Sequence, residues 1–294
     1  MADRTMLAFR AGSVAARALP APVVTGLARL GGLAAGQLDA DRRAQVERNL
    51  RRVYGDSYGG VAMRRSVAAT FESYARYWVE AFRLPGTSTA ELDALMSYTG
   101  LSHLDDALAA GKGAILGIPH LGGWEWAGAW VAAVWHRPVS AVVEALEPAE
   151  LFEWFVELRS AMGMQVIPLG PDAGTQVIRA LKDNHVVCLL SDRDVAGGGV
   201  EVEFFGERTR LPAGPATLAL RTGAPILPTA VYLDRSRHVG VVRPPVPVER
   251  RGRLREDVAR ITQDLARELE ALIRAAPEQW HLMQPNWPSD PGFE

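Results

Sequence analysis

Gly117-Ile118-Pro119-His120-Leu121-Gly122-Gly123-Trp124-Glu125-Trp126 is the stretch on which the reading of this chain turns. The apolar run Ala114–Ile118 before it has the length and composition of a short buried strand. The segment behind it, Trp124–Trp135, has the pattern of a helix. A strand that turns directly into a helix is the building unit of an α/β sheet, and a side chain in that turn stands at the sheet's rim, where ligands bind. His120 occupies that position. Glu125 falls in the first turn of the following helix, near enough to orient the imidazole or to hold the turn that carries it. Such an arrangement suits a general base acting on a hydroxyl.

Working outward, Val139–Glu144, Gln165–Pro168, Val186–Ser191, Val200–Phe204, Ile226–Tyr232 and Val239–Arg243 also read as strands. Helical patterns at Pro148–Met162, Ala173–Asp183 and Pro215–Thr222 fall between several of them. The expected fold is therefore α/β, a central mixed, largely parallel sheet flanked by helices. Upstream, residues 4–18, 21–36, 40–54 and 61–84 read as four helices, the last with Phe71, Tyr74, Trp78 and Phe82 in one core-type stripe. A long charged helix, Leu254–Ala275, follows the Arg/Pro-rich connector 243–253. The expectation is one domain over residues 1–294: a helical portion to 84, an α/β core over 85–253, and a C-terminal helix and tail.

Composition narrows the function. A net charge of −2 over 294 residues gives no electrostatic case for nucleic acid. Residues 1–54 differ, with nine arginines against four carboxylates, which suits an anionic surface. In the first helix Leu7, Ala11, Val14 and Ala18 share one face, and Arg10, Ser13 and Arg17 another. That pattern fits a helix lying in a lipid interface or one packed on its own domain; the expectation taken forward is an N-terminal helical membrane-associating segment. No uncharged apolar run approaches the roughly 20 residues needed to span a bilayer, and no secretory signal is recognisable. The single Cys188 sits in an apolar run and reads as a buried hydrophobe. Neither a Gly-x-Ser-x-Gly elbow, a His-Glu-x-x-His metal site nor a Walker loop is present. A base without a protein nucleophile favours direct attack by a substrate hydroxyl on an activated electrophile such as an acyl thioester.

Longer segments carry a resemblance. His120-Leu-Gly-Gly-Trp-Glu125, Glu203-Phe-Phe-Gly206 and Leu211-Pro-Ala-Gly-Pro-Ala216 resemble the bacterial lipid A biosynthesis (lauroyl/myristoyl) acyltransferase family. Ser73-Tyr-Ala-Arg-Tyr-Trp-Val-Glu-Ala-Phe-Arg-Leu-Pro85, Asp192-Arg-Asp194 and Trp280-His-Leu-Met-Gln-Pro-Asn-Trp287 are similar to its actinobacterial phosphatidylinositol mannoside acyltransferases. The resemblance covers about residues 5–288. It implies transfer of a fatty acyl group, commonly palmitoyl, from acyl-CoA to a mannose hydroxyl of a phosphatidylinositol mannoside, at the cytoplasmic face of the plasma membrane and with no further cofactor or metal.

By the same resemblance His120 is the base, Glu125 fills the acidic position of the motif, and Asp192 lies where this subfamily sets a carboxylate beside the histidine. Glu144 and Arg159 match buried polar supports. From the residues alone Glu125 could equally cap its helix or pair with Arg159, and Asp192 could pair with Arg193. Arg193 and Arg210 could meet substrate or coenzyme phosphates or form ordinary salt bridges. Trp124, with Trp126 and Trp130, is expected in core or pocket wall, and residues 116–135 and 200–206 are expected to line an acyl channel. The alternatives are a related enzyme with a lysophospholipid or lipid A-type acceptor or an acyl carrier protein donor, and a lipid-binding protein without turnover.

Overall fold

A computed structural model of the protein describes residues 2–144 and 149–293; the side chains of residues 2–8, 10, 21 and 22 lie outside that description. Helices α1 (Ala2–Ala18), α2 (Ala21–Leu38), α3 (Ala40–Tyr54) and α4 (Gly60–Arg83) come first. Then follow α5 (Thr89–Ala94), β1 (Met96–Thr99), α6 (Leu101–Ala109), β2 (Ala114–Ile118), α7 (Trp124–Ala133), β3 (Val139–Val143) and α8 (Ala149–Ser160). The chain continues through β4 (Met164–Pro168), α9 (Ala173–Lys182), β5 (Val186–Leu190), β6 (Val200–Phe204), β7 (Glu207–Leu211) and α10 (Gly214–Thr222). It closes with β8 (Ile226–Asp234), β9 (Arg237–Val242) and α11 (Leu254–Ala275). Pro148, the expected start of α8, lies outside the described residues, as do Met1 and Glu294.

Seven strands form the central sheet in the order β1-β9-β8-β2-β5-β3-β4. Every neighbouring pair is parallel except the β8–β9 hairpin, so the mixed, largely parallel sheet expected from the sequence is what the chain forms. β6 and β7 make a separate antiparallel ribbon. Side chains alternate across β2: Ala114, Leu116 and Ile118 enter a core shared with α6, α7 and α8, while Ile115 enters the core under α9, α10 and α11. Crossover helices thus cover both faces, as parallel strands require.

The N-terminal helices stack on this body through α4. Its stripe is in part core, with Phe71 and Phe82 buried and Tyr74 and Trp78 half-buried. α2 lies close on α4 because Gly32 and Gly36 face it: a Cβ at Gly32 would stand 2.5 Å from the main-chain oxygen of Phe71. In α1 the division of faces differs from the helical-wheel expectation. Ser13 and Ala16 are buried, and Arg17 reaches the Phe82 carbonyl at 2.9 Å, whereas Ala11, Val14 and Ala18 stay exposed. Helix α1 therefore packs through Phe9, whose ring meets Trp78, Phe82, Trp154 and Phe155, and through the small residues at positions 12, 13 and 16, while Ala11, Val14 and Ala18 point away from the body; Leu7 and Arg10 lie outside the described side chains. Exposed Val23, Leu27, Leu30 and Leu38 on α2 add to that apolar surface. No described helix is long and apolar enough to cross a membrane.

The Gly32 contact is rigid, because the neighbour is backbone rather than a movable side chain. Gly32→Val is expected to destabilise the protein by about 1–3 kcal/mol through overpacking, lowering the thermal unfolding midpoint by a few degrees; circular dichroism melts check this, and an unchanged midpoint would refute the close fit.

Candidate active site

Two parallel strands bring the central pair together. β2 and β5 are neighbours, with Ile118 opposite Leu190. The pairing continues one step past the strand ends, where Ser191 N–H donates to the Ile118 carbonyl at 2.8 Å. His120 and Asp192 each lie two residues beyond the matched pair, so the register sets them side by side. His120 Nδ1 is 2.7 Å from Asp192 Oδ1, and the His120 main-chain N–H donates to Oδ2 at 3.0 Å. An ionised carboxylate only accepts hydrogen bonds, so Nδ1 carries the proton, and in the neutral ring it is Nε2 that holds the lone pair. The His120 side chain remains 31% exposed, while that of Asp192 is fully buried.

The turn after His120 is held on both sides. Gly122 has φ 62° and bridges Val231 of β8; a Cβ there would fall 1.7 Å from the Val231 oxygen, so only glycine fits. Leu121 bridges Trp280, and His281 N–H donates to the His120 carbonyl at 2.7 Å. The Trp280 indole N–H donates to Asp192 Oδ2 at 2.8 Å, and the Asn286 side chain donates to the Asp192 main-chain oxygen at 2.9 Å. Asn286 is in turn fixed by buried Asp290, which also accepts from Gln45 and Arg52 of α3. Trp280, Asn286 and Asp290 carry no sequence signal for this role beyond the length of the matching C-terminal segment.

Charge follows geometry. For His120, burial disfavours the imidazolium, but the adjacent Asp192 carboxylate outweighs it and lifts the ring above its ordinary value. For Asp192, burial raises the carboxyl, yet the His120 charge and the hydrogen bonds it receives hold it below the usual range. His281, packed against Tyr74 and Tyr77 and bonded to the Ser73 hydroxyl at 2.9 Å, is pushed down by burial to about 3.

Glu125 belongs to a different cluster. Its Oε1 accepts from the Tyr77 hydroxyl at 2.6 Å and from Arg159 at 3.0 Å, inside the protein. Among the described residues it is not a partner of His120, so the pairing with Arg159 is the one the chain adopts. Burial raises its carboxyl above the usual value even with Arg159 beside it. Arg159 lies 5.3 Å over Trp124, which is buried in the α7 core. Glu144 corrects an expectation: it is exposed at the end of β3 rather than a buried support, because the strand stops one residue earlier and the side chain reaches the cavity rim.

Two cavities meet at this edge of the sheet. One, of about 350 Å³, is lined by His120, by Leu169 just after β4, and by apolar groups of β3, β5, α9 and α10, among them Val142, Val177, Leu189 and Leu218. The aromatic residues of 116–135 and 200–206 do not line it; Trp124 and Val131 border a void of about 30 Å³ in the opposite core, and Phe204 and Phe205 pack on Trp280. The channel-wall expectation fails because α7 crosses beneath the sheet on the other side. The second cavity, of about 640 Å³, is of mixed lining and holds Arg193, Arg208 and Arg210 with Asp194 and Glu201, a small excess of positive charge. Arg193 and Asp194 form a wall common to both. Among the described residues Arg208 pairs with Glu201 at 3.3 Å, while neither Arg193 nor Arg210 forms a salt bridge. Cys188 is buried in β5, and burial pushes its thiol up to about 12, which leaves no thiolate at neutral pH.

The family profile for bacterial lipid A biosynthesis acyltransferases matches residues 5–289, the span that contains His120, Asp192 and Trp280. The chain belongs to this family. The phosphatidylinositol mannoside acyltransferase of Mycolicibacterium smegmatis is 38% identical over 289 residues, covering 97% of this chain and 92% of that protein. The phosphatidylinositol mannoside acyltransferase of Mycobacterium tuberculosis is 40% identical over 298 residues, covering 96% of this chain and 88% of that protein. The acyltransferase match thus runs through the N-terminal helices, the sheet and the C-terminal clasp alike.

The buried neutral His281 has a signature in acid. Its unfolded form binds a proton below about 6.5 while the folded form does not until about 3, so stability falls as pH falls through that window. The raised His120 acts oppositely, but its contribution is already complete below 6.5; the lowered Asp192 acts only under 3.8. Between pH 6.5 and 5, wild type is expected to lose up to about 1.4 kcal/mol per pH unit relative to His281→Asn. Urea titrations across that range check the slope difference.

Proposed function

We propose that this protein transfers a long fatty acyl chain, palmitoyl above all, from acyl-CoA to a mannose hydroxyl of a phosphatidylinositol mannoside. The observation that carries the reading is the His120–Asp192 pair at the mouth of an apolar cavity that shares a wall with an arginine-bearing one. The names of the relatives support the acceptor.

In the proposed reaction Nε2 of His120 accepts the proton of the acceptor hydroxyl while its oxygen attacks the thioester carbonyl carbon. The C–O bond forms, the C–S bond breaks, and the proton passes from the imidazolium to the departing thiolate. Asp192 holds the tautomer and stabilises the imidazolium. No acyl-enzyme is needed. The apolar cavity accommodates acyl chain, and Arg193 and Arg210, which form no salt bridge among the described residues, are placed for the phosphates of the donor. Glu125, with Arg159 and Tyr77, keeps the start of α7 in place.

The exposed apolar face of α1 and α2, flanked by the arginines of residues 1–54, supports peripheral attachment to the anionic cytoplasmic leaflet. Labelled palmitoyl-CoA incubated with a purified phosphatidylinositol mannoside tests the reaction, the lipid product being resolved by mass spectrometry. Acylated mannoside is expected; acylation of a lysophospholipid or lipid A precursor instead would reassign the acceptor, and transfer only from acyl carrier protein would reassign the donor. His120→Ala is expected to remain folded and to lose roughly 10²–10⁴ in rate, and near-normal turnover would refute its role as base. Leu27→Glu combined with Leu30→Glu is expected to reduce flotation with anionic vesicles severalfold, and salt to weaken wild-type binding.

A further inference from the structure

The two oxygens of Asp192 are used differently. Oδ1 meets the His120 ring alone, at 2.7 Å. Oδ2 accepts two N–H groups, from the His120 main chain at 3.0 Å and from Trp280 at 2.8 Å. Trp280 is only 3% exposed and is surrounded by Phe205, Phe204 and Trp287 at centroid distances of 5.5, 6.2 and 6.2 Å. Packing of that kind asks only for an apolar ring. A buried indole N–H also asks for an acceptor, and the acceptor here is the carboxylate that orients the histidine. The backbone on either side is tied to the same turn, through the Leu121–Trp280 bridge and the His281 bond to the His120 carbonyl. Donor, carboxylate and imidazole therefore form one rigid unit.

We propose that Trp280 is a positioning residue whose indole N–H, by anchoring Oδ2 of Asp192, fixes the plane of the carboxylate and limits the negative charge that Oδ1 presents to His120. This rests on the reading of His120 as the base for its catalytic consequence, but not for its effect on the ring. Without the indole donor, Oδ2 keeps a single hydrogen bond. The carboxylate then gains freedom to rotate, and more of its charge bears on Nδ1, which stabilises the imidazolium. The other groups that face His120 are Arg193 beside Asp192, Glu144 at the end of β3, and neutral His281; none contacts Trp280 through a hydrogen bond or ion pair in the described structure. They stay constant when the indole alone is changed.

The test is Trp280→Phe in the full-length protein, read by NMR titration of the His120 ring and by the pH dependence of kcat/KM. The ring midpoint is expected to rise by roughly half a pH unit, the acidic limb of kcat/KM to move with it, and kcat to fall about tenfold with KM little changed. Should the phenylalanine variant fail to fold, benzothienylalanine at position 280 keeps the bicyclic shape and removes only the N–H. A folded variant of either kind with an unmoved ring midpoint and an unmoved limb would overturn the proposal and leave Trp280 as packing. If the ring midpoint rises while His120→Ala still turns over normally, the electrostatic role of Trp280 stands and the assignment of His120 as base falls.

Discussion

The parallel pairing of β2 with β5 is the constraint on which the site depends. Five matched residue pairs place the ends of the two strands level, and the second residue beyond each end is the histidine on one and its carboxylate on the other. Side chains alternate along a strand, so a slip of one residue would send one partner to the opposite side of the sheet. The short His120–Asp192 contact is thus a property of the sheet rather than of a flexible loop. Both strands are enclosed by helices on two faces, which makes the register costly to change.

Around this fixed pair the protein places unlike surroundings. The apolar cavity and the arginine-bearing cavity meet at Arg193, and the proposed placement of an acyl donor across that junction rests on this meeting. A third set of groups, Glu125, Arg159 and Tyr77, spends its charge internally at the start of α7. Breaking such a buried ion pair by removing one partner costs several kcal/mol, about 3–5. Its acidity and sequence position resemble those of a catalytic carboxylate, yet its neighbours give it the work of a strut.

The strands and helices with strong periodicity were legible before any coordinates, and so was the mixed sheet, since strand patterns alternate with helical ones along the chain. β1, four residues long at the sheet's edge, and β7, whose exposed positions are Arg208 and Arg210, offer too little apolar pattern to mark a strand. α5 spans only six residues, too few to establish a helical period. Of the site, His120 and Asp192 could be named from the strand ends and the family resemblance. The choice between Asp192 and Glu125 could not, because it depends on which strand lies beside β2. Nor could the faces of α1, where Ser13 and Ala16 are buried on the side that carries Phe9 against Trp78 and Phe82, and Val14 is exposed.

The clasp from Trp280 to Asp290 has a consequence for the order of events at the ribosome. His120 and Asp192 leave the exit tunnel long before the indole and the amide that hold the carboxylate exist, and Asp290, which joins this clasp to Gln45 and Arg52, comes later still. Until then the histidine and its carboxylate are present without the groups that tie the carboxylate down. The His120–Asp192 pair takes its described surroundings only once residues 280–290 fold back onto α3 and the ends of β2 and β5.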